Sequence, residues 1–151
     1  MAIEGGCYCG SLRYRADGDP QFKGQCHCRE CQFVSGGGPN YCMGLAEAGF
    51  EYTLGSPKLF SRSDLDDPVT REFCGECGTP LTWEGDAGGD LGPIFEIHLS
   101  TFDDPNVLVP TAHAFYSERI SWFDIADKLP RFEGAAGQTP PLRHGPEPGL
   151  N

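Results

Sequence analysis

Seven of the eight cysteines in this 151-residue chain fall in three clusters: Cys7-Tyr-Cys9, Cys26-His-Cys28-Arg-Glu-Cys31 and Cys74-Gly-Glu-Cys77. A Cys-x-x-Cys spacing lets one turn aim both sulfurs at a single ion, with Zn–S near roughly 2.3 Å in a tetrahedral shell. On an extended segment, residues i and i+2 share a face, so Cys7 and Cys9 point one way and Tyr8 the other. Cys26 and Cys28 repeat that geometry with His27 turned away, and a turn at Arg29-Glu30 returns Cys31 to the same ion. Two pairs supply four ligands and close a structural site, whereas a triplet supplies three and leaves one position open for chemistry. Spacing alone leaves open which pair joins which. The economical grouping places Cys7, Cys9, Cys74 and Cys77 together, clamping the N-terminal strand to the middle of the chain, with Cys26, Cys28 and Cys31 separate.

Charge narrows the partners. The formal net charge is −11, and nucleic-acid affinity comes largely from Lys and Arg displacing counterions, so no nucleic-acid partner is expected. Anionic membrane surfaces are disfavoured for the same reason, and no stretch approaches the roughly 18 apolar residues of a membrane-spanning helix. The opening Met1-Ala-Ile-Glu-Gly-Gly has neither the basic nor the apolar region of a secretory signal. The expectation is a cytoplasmic protein whose clustered thiols stay reduced and bind metal.

Residues 1–132 read as one loop-rich, all-β domain. Ser11-Leu-Arg-Tyr-Arg-Ala, Glu51-Tyr-Thr-Leu, Lys58-Leu-Phe-Ser, Pro80-Leu-Thr-Trp and Ile94-Phe-Glu-Ile-His-Leu alternate as half-buried strands do. Turns at Asp17-Gly-Asp-Pro, Gly55-Ser-Pro, Asp66-Asp-Pro, Gly85-Asp-Ala-Gly-Gly and Asp103-Asp-Pro separate them. A turn or two of helix is expected after Cys28 and another over 118–127. Residues 133–151, rich in Gly and Pro, read as a flexible C-terminal tail that packs against a neighbouring subunit in a homo-oligomer.

Four segments carry a specific resemblance. Cys7-Tyr-Cys9-Gly10-Ser11-Leu-Arg-Tyr, Cys26-His-Cys-Arg-Glu-Cys-Gln-Phe-Val-Ser-Gly, Arg71-Glu-Phe-Cys-Gly-Glu-Cys-Gly-Thr and the closing Leu129-Pro-Arg-Phe are similar to the motifs of the glutathione-dependent formaldehyde-activating enzymes, a family that includes centromere protein V. The resemblance implies a β-tent, a small antiparallel-sheet fold built around zinc. It implies a structural Zn²⁺ on Cys7, Cys9, Cys74 and Cys77 and a catalytic, labile one on Cys26, Cys28 and Cys31. It further implies a carbon–sulfur lyase of the S-(hydroxymethyl)glutathione synthase type, acting on glutathione and formaldehyde. The loop Ser35-Gly-Gly-Gly-Pro-Asn departs from the family's pattern, so the thiol-contacting residues do not carry over.

Three thiolates donate heavily to Zn²⁺, which makes a bound water a poor nucleophile but suits an incoming soft thiol. Arg29 or Arg62 would then pair a thiol-borne carboxylate. A zinc deaminase is a weak rival, because Phe73 stands where its Pro-Cys-x-x-Cys signature needs proline. A non-catalytic zinc-stabilised interaction module is the rival of a different class, signalled by a histidine closing the triplet. Among single residues, His27 is expected to hydrogen-bond backbone or a loop carboxylate. Glu96 and His98 are expected to share one strand face, solvated or, where that face lines a pocket, serving as a general acid–base pair, with His113 as a pocket wall or structural hydrogen-bonder, Cys42 as a buried thiol, and His144 idle in the tail.

Overall fold

Alternation of apolar and polar side chains decides most of the secondary structure. The computed structural model describes residues 2–66, 68–86 and 92–142. They form strands β1 (Ala2–Gly6), β2 (Arg13–Asp17), β3 (Phe22–Cys26), β4 (Asn40–Ala46), β5 (Phe50–Leu54), β6 (Lys58–Phe60), β7 (Thr70–Phe73), β8 (Pro80–Asp86), β9 (Pro93–His98) and β10 (Ala112–Ala114), with helix α1 (Arg29–Ser35) between β3 and β4. The chain is all-β apart from α1 and a few single helical turns. It divides into two compact units, Met1–Lys23 with Tyr41–Pro110 and Gly24–Asn40 with Thr111–Asn151. Residues from 143 on, including His144, lie outside the described residues, as do Asp67 and most of the Gly85-Asp-Ala-Gly-Gly turn.

In the first unit β1, β2 and β5 form an antiparallel sheet in that order, and β4-β9-β8-β7-β6 form an antiparallel run. The inward residues of these strands build one core, in which Tyr14, Met43, Leu81 and Ile97 are almost wholly buried. Two cysteines, Cys7 and Cys74, belong to that same core. Several buried polar groups beside it are paired. Tyr14 Oη lies 2.7 Å from Thr101 Oγ1, which donates to the His98 carbonyl. Tyr52 Oη and Thr82 Oγ1 each donate to Glu72 Oε2 at 2.7 Å. Burial, reinforced by the Glu72 carboxylate, pushes the Tyr52 phenol well above its ordinary range.

Thr82 is 1% exposed, so its hydroxyl has no water to fall back on. Replacing it with valine keeps the shape and removes one donor to a buried carboxylate. The expected cost is about 2 kcal/mol, read as a lower urea midpoint at unchanged slope. Thr82→Ser, which keeps the donor, is expected to retain most of the stability.

The expected solvated face of β9 is corrected here. Glu96 and His98 are buried, 7% and 4% exposed, on the opposite face from the equally buried Ile97. Alternation separates Glu96 and His98 from Ile97, but all three are buried, so here the polar-looking face is covered as well as the apolar one. Burial, with the Arg71 charge adding to it, lowers the His98 pKa to about 4 and keeps the ring neutral.

In the second unit β10 runs parallel to β3, with Ala112, His113 and Ala114 opposite Gly24, Gln25 and Cys26. The expected helical turn after Cys28 is α1. Its N-cap is a cysteine, since Cys28 accepts the Cys31 N–H, and it ends at Gly36, whose φ of 76° is the left-handed geometry glycine adopts without penalty. Helix over 118–127 does not form beyond the single turn at Tyr116–Glu118. The backbone there is satisfied differently. Arg131 donates to the carbonyls of Ile125, Asp127 and Leu129, and Asp127 accepts the Leu129 N–H. A single guanidinium thus satisfies three carbonyls of the non-helical stretch from Ile125 to Leu129.

Candidate metal centres

Cys7, Cys9, Cys74 and Cys77 bring their four sulfurs within 4.8 Å of one another in the first unit. The hairpin after β1 aims the first pair, and the knuckle between β7 and β8 aims the second. The knuckle closes through Gly78 N–H to the Cys74 carbonyl at 2.9 Å, with Gly78 at φ 73°. The Sγ–Sγ separations are 3.5 Å for Cys7–Cys9 and 3.7 Å for Cys9–Cys74. Four sulfurs roughly 2.3 Å from a tetrahedral ion stand about 3.8 Å apart, so the quartet fits such an ion as it is.

Groups outside the quartet also suit thiolates. Leu12 N–H donates to Cys7 Sγ at 3.2 Å, Ser11 Oγ lies 3.0 Å from Cys9 Sγ, and Thr79 Oγ1 lies 3.1 Å from Cys77 Sγ. The Thr79 hydroxyl and N–H lower the Cys77 pKa to about 6. Against the pull of the Cys77 N–H, burial and neighbouring thiols push Cys74 up to about 11. Hydrogen bonds to ligand sulfurs of this kind orient and tune metal sites.

Cys26, Cys28 and Cys31 form a second convergent group, also within 4.8 Å, in the second unit. The end of β3 and the first turn of α1 deliver them. Among the described residues no His, Asp, Glu or further Cys joins them. Hydrogen bonds from Cys26 and Cys31 hold Cys28 far below the usual thiol range, while Cys26, on the giving side of those bonds, is driven far up. One charge is tolerated there easily. Ionising all three requires a cation between them, and the trio suits a soft one.

Behind the trio stands a buried polar chain that the sequence did not reveal as a unit. His27, 2% exposed, places Nε2 2.9 Å from His113 Nδ1, and His113, wholly buried, places Nε2 3.0 Å from both oxygens of Asp127. The His27 ring is therefore engaged with His113, not with the trio. Tyr116 packs edge-on against both imidazoles, with centroids 5.2 and 5.4 Å away. The chain reaches Tyr116 through Phe115 at φ 52°, a conformation costing a non-glycine residue about 1–3 kcal/mol. Burial, with His113 and the Arg119 and Arg131 charges, lowers the His27 pKa to about 4. Despite burial, hydrogen bonds from His113 and the Leu129 N–H hold Asp127 below the ordinary carboxylate range.

Of the remaining expected residues, Arg29 lies in the same unit as the trio and stacks its guanidinium 4.0 Å over the Phe33 ring. Arg62 lies in the other unit and is paired with Asp64 at 2.6 Å. Cys42 is a buried thiol at 1% exposure. No helix among the described residues is long and apolar enough to cross a membrane.

A family model described as glutathione-dependent formaldehyde-activating enzyme matches residues 2–118. The chain belongs to this family. The match takes in both cysteine groups, α1 and His113, while Asp127 and Arg131 lie beyond it. A Halomonas elongata protein, provisionally named as a glutathione-dependent formaldehyde-activating enzyme, is 32% identical over 89 residues. That alignment covers 54% of this chain and 55% of the relative, about half of each. A crystal structure of a Rhodobacter sphaeroides protein superimposes with a TM-score of 0.54 at 14% identity, covering 72% of this chain and 98% of the other. At that identity the likeness shows a shared fold and nothing further. Family membership thus rests on the matched span, which contains both groups of convergent sulfurs.

Proposed function

We propose that this protein is a zinc-dependent carbon–sulfur lyase that joins glutathione, or another small thiol, to formaldehyde or a similar aldehyde. The observation carrying this reading is the trio of convergent sulfurs with no fourth His, Cys, Asp or Glu donor beside it among the described residues. The quartet would hold a structural ion, and the trio a catalytic one. Zinc bound at the trio would hold an incoming soft thiol as a thiolate near neutral pH.

The overall reaction is an addition without redox change. The thiol gives up its proton, its sulfur bonds to the aldehyde carbon, and the carbonyl π pair passes to oxygen, which takes up a proton. The reverse reaction cleaves the same carbon–sulfur bond.

The chain's own residues bind and orient. Arg29 is fixed by the Phe33 ring beneath it, by NH1 donating to Gln32 Oε1 at 3.3 Å, and by its backbone N–H donating to Glu118. It would offer a held cation, one residue along the chain from Cys28, for a carboxylate of the thiol. The Gly36-Gly37-Gly38 loop leaves space at Gly36, where an added Cβ would meet nothing within 4 Å. Ile120 and Phe123 approach Gly37 and Gly38 and give that loop an apolar wall.

Two measurements test the reading. X-ray absorption at the zinc edge is expected to show the average sulfur number rising on adding glutathione, and an unchanged number at saturation rules out direct thiol ligation. Adduct formation followed by NMR with ¹³C-formaldehyde tests the binding role of Arg29. Arg29→Ala is expected to raise KM for glutathione about tenfold with kcat nearly constant, and to change little with cysteamine, which has no carboxylate.

A further inference from the structure

Cys26-His27-Cys28 is extended enough for its two sulfurs to share a side while His27 turns to the other. The geometry of the sulfurs is therefore set by whatever holds His27. Three groups do so. Its N–H donates to the Ala114 carbonyl at 3.0 Å, its carbonyl accepts from Gln32 Nε2 at 2.8 Å, and its ring meets His113 at 2.9 Å. The first two are ordinary backbone anchors. The third leads away from the trio, and it has a direction.

That direction originates at Asp127. Every group hydrogen-bonded to its carboxylate is a donor: His113 Nε2, the Leu129 N–H at 3.1 Å, Gln25 Nε2 at 3.4 Å, and the Arg131 guanidinium at 3.3 Å. A carboxylate can only accept, so a neutral His113 carries its proton on Nε2 and presents Nδ1 bare. His27 must then carry its proton on Nε2 to meet that bare nitrogen, which leaves its own Nδ1 unprotonated. We infer that Asp127 and His113 are positioning residues for the trio, fixing the plane and tautomer of His27 and through it the spacing of the Cys26 and Cys28 sulfurs. This inference rests on reading the trio as a metal site. It assigns a task to a carboxylate lying beyond the span that the family model matches.

The test uses the full chain, Zn²⁺ and a competing chromophoric chelator, with ¹⁵N imidazole spectra alongside. Glutamine presents an oxygen and an N–H₂ about as far apart as the two imidazole nitrogens, so His113→Gln can accept from His27 and donate to Asp127 in the same order. Leucine can do neither. His113→Leu is expected to weaken the second zinc roughly 10- to 100-fold, the range for loss of an outer-shell partner, while the first zinc stays bound. His113→Gln is expected to stay within about threefold of the wild type.

In the wild type, loaded or metal-free, the His27 spectrum is expected to show the Nε2–H form, and His113→Leu is expected to lose it. Where His113→Leu fails to fold, Asp127→Asn gives the same reading, because its amide sets a donor against donors. Unchanged zinc affinity and an unchanged His27 tautomer in these variants overturn the inference while leaving the metal site intact. A wild type that binds only one zinc overturns the site reading itself, and the inference with it.

Discussion

Replacing Cys74 with serine is expected to leave the chain without a cooperative fold. Cys74 is 1% exposed and sits in the main core beside Leu81 and Ile97, and it is also one of the four convergent sulfurs. Structural zinc sites of this kind supply an apparent binding free energy of roughly 10–16 kcal/mol, whereas a whole domain is stable by only about 5–15 kcal/mol. With zinc on the quartet, as proposed, losing the ion removes an amount comparable to the entire stability. Serine neither ligates zinc well nor fills the volume of sulfur, and its hydroxyl would be buried among apolar neighbours. Metal content by mass spectrometry and thermal unfolding by circular dichroism check this outcome. A Cys74→Ser protein that melts at the wild-type temperature would show that the quartet does not brace the fold.

Cys28→Ser is expected to do the opposite, removing one zinc and the activity while sparing the fold. Cys28 has two tasks, contributing a sulfur to the trio and capping α1 by accepting the Cys31 N–H at 3.4 Å. Serine is among the best N-cap residues, so the helix start survives or improves. The trio, by contrast, drops to two sulfurs. Adduct formation is expected to fall by more than the roughly 100-fold that loss of an outer-shell partner costs. Zinc is expected to fall by one per chain, with the melting temperature nearly unchanged. Collapse of the fold in Cys28→Ser would mean that the trio is a second brace, and full activity would mean that its ion does no chemistry.

How much of this was legible beforehand depended on how local the signal was. The three cysteine clusters and the short alternating strands are patterns within ten residues, and spacing exposes them. The helix after Cys28 was expected, and its cap by a cysteine could have been read from Cys28 at the N-cap with Cys31 three residues on. Glu96 and His98 are buried against expectation because alternation separates a strand's two faces without saying whether the polar-looking one is covered. The His27–His113–Asp127 chain joins residues 86 and 14 positions apart, and nothing local links them. The segment 118–127 carries some helical character, but Arg131, in the closing Leu129-Pro-Arg-Phe, claims its carbonyls. That guanidinium reaches carbonyls two to six residues back, but such side-chain capture of backbone has no periodic pattern by which a sequence would show it.

The quartet draws its two halves from far apart in the chain, Cys9 and Cys74 being separated by 65 positions. During synthesis the four-sulfur group cannot assemble until the knuckle has left the ribosome. Until then Cys7 has no finished interior to enter. With zinc on the quartet, as proposed, ion delivery is therefore a late step of maturation, coupled to completion of the fold rather than preceding it.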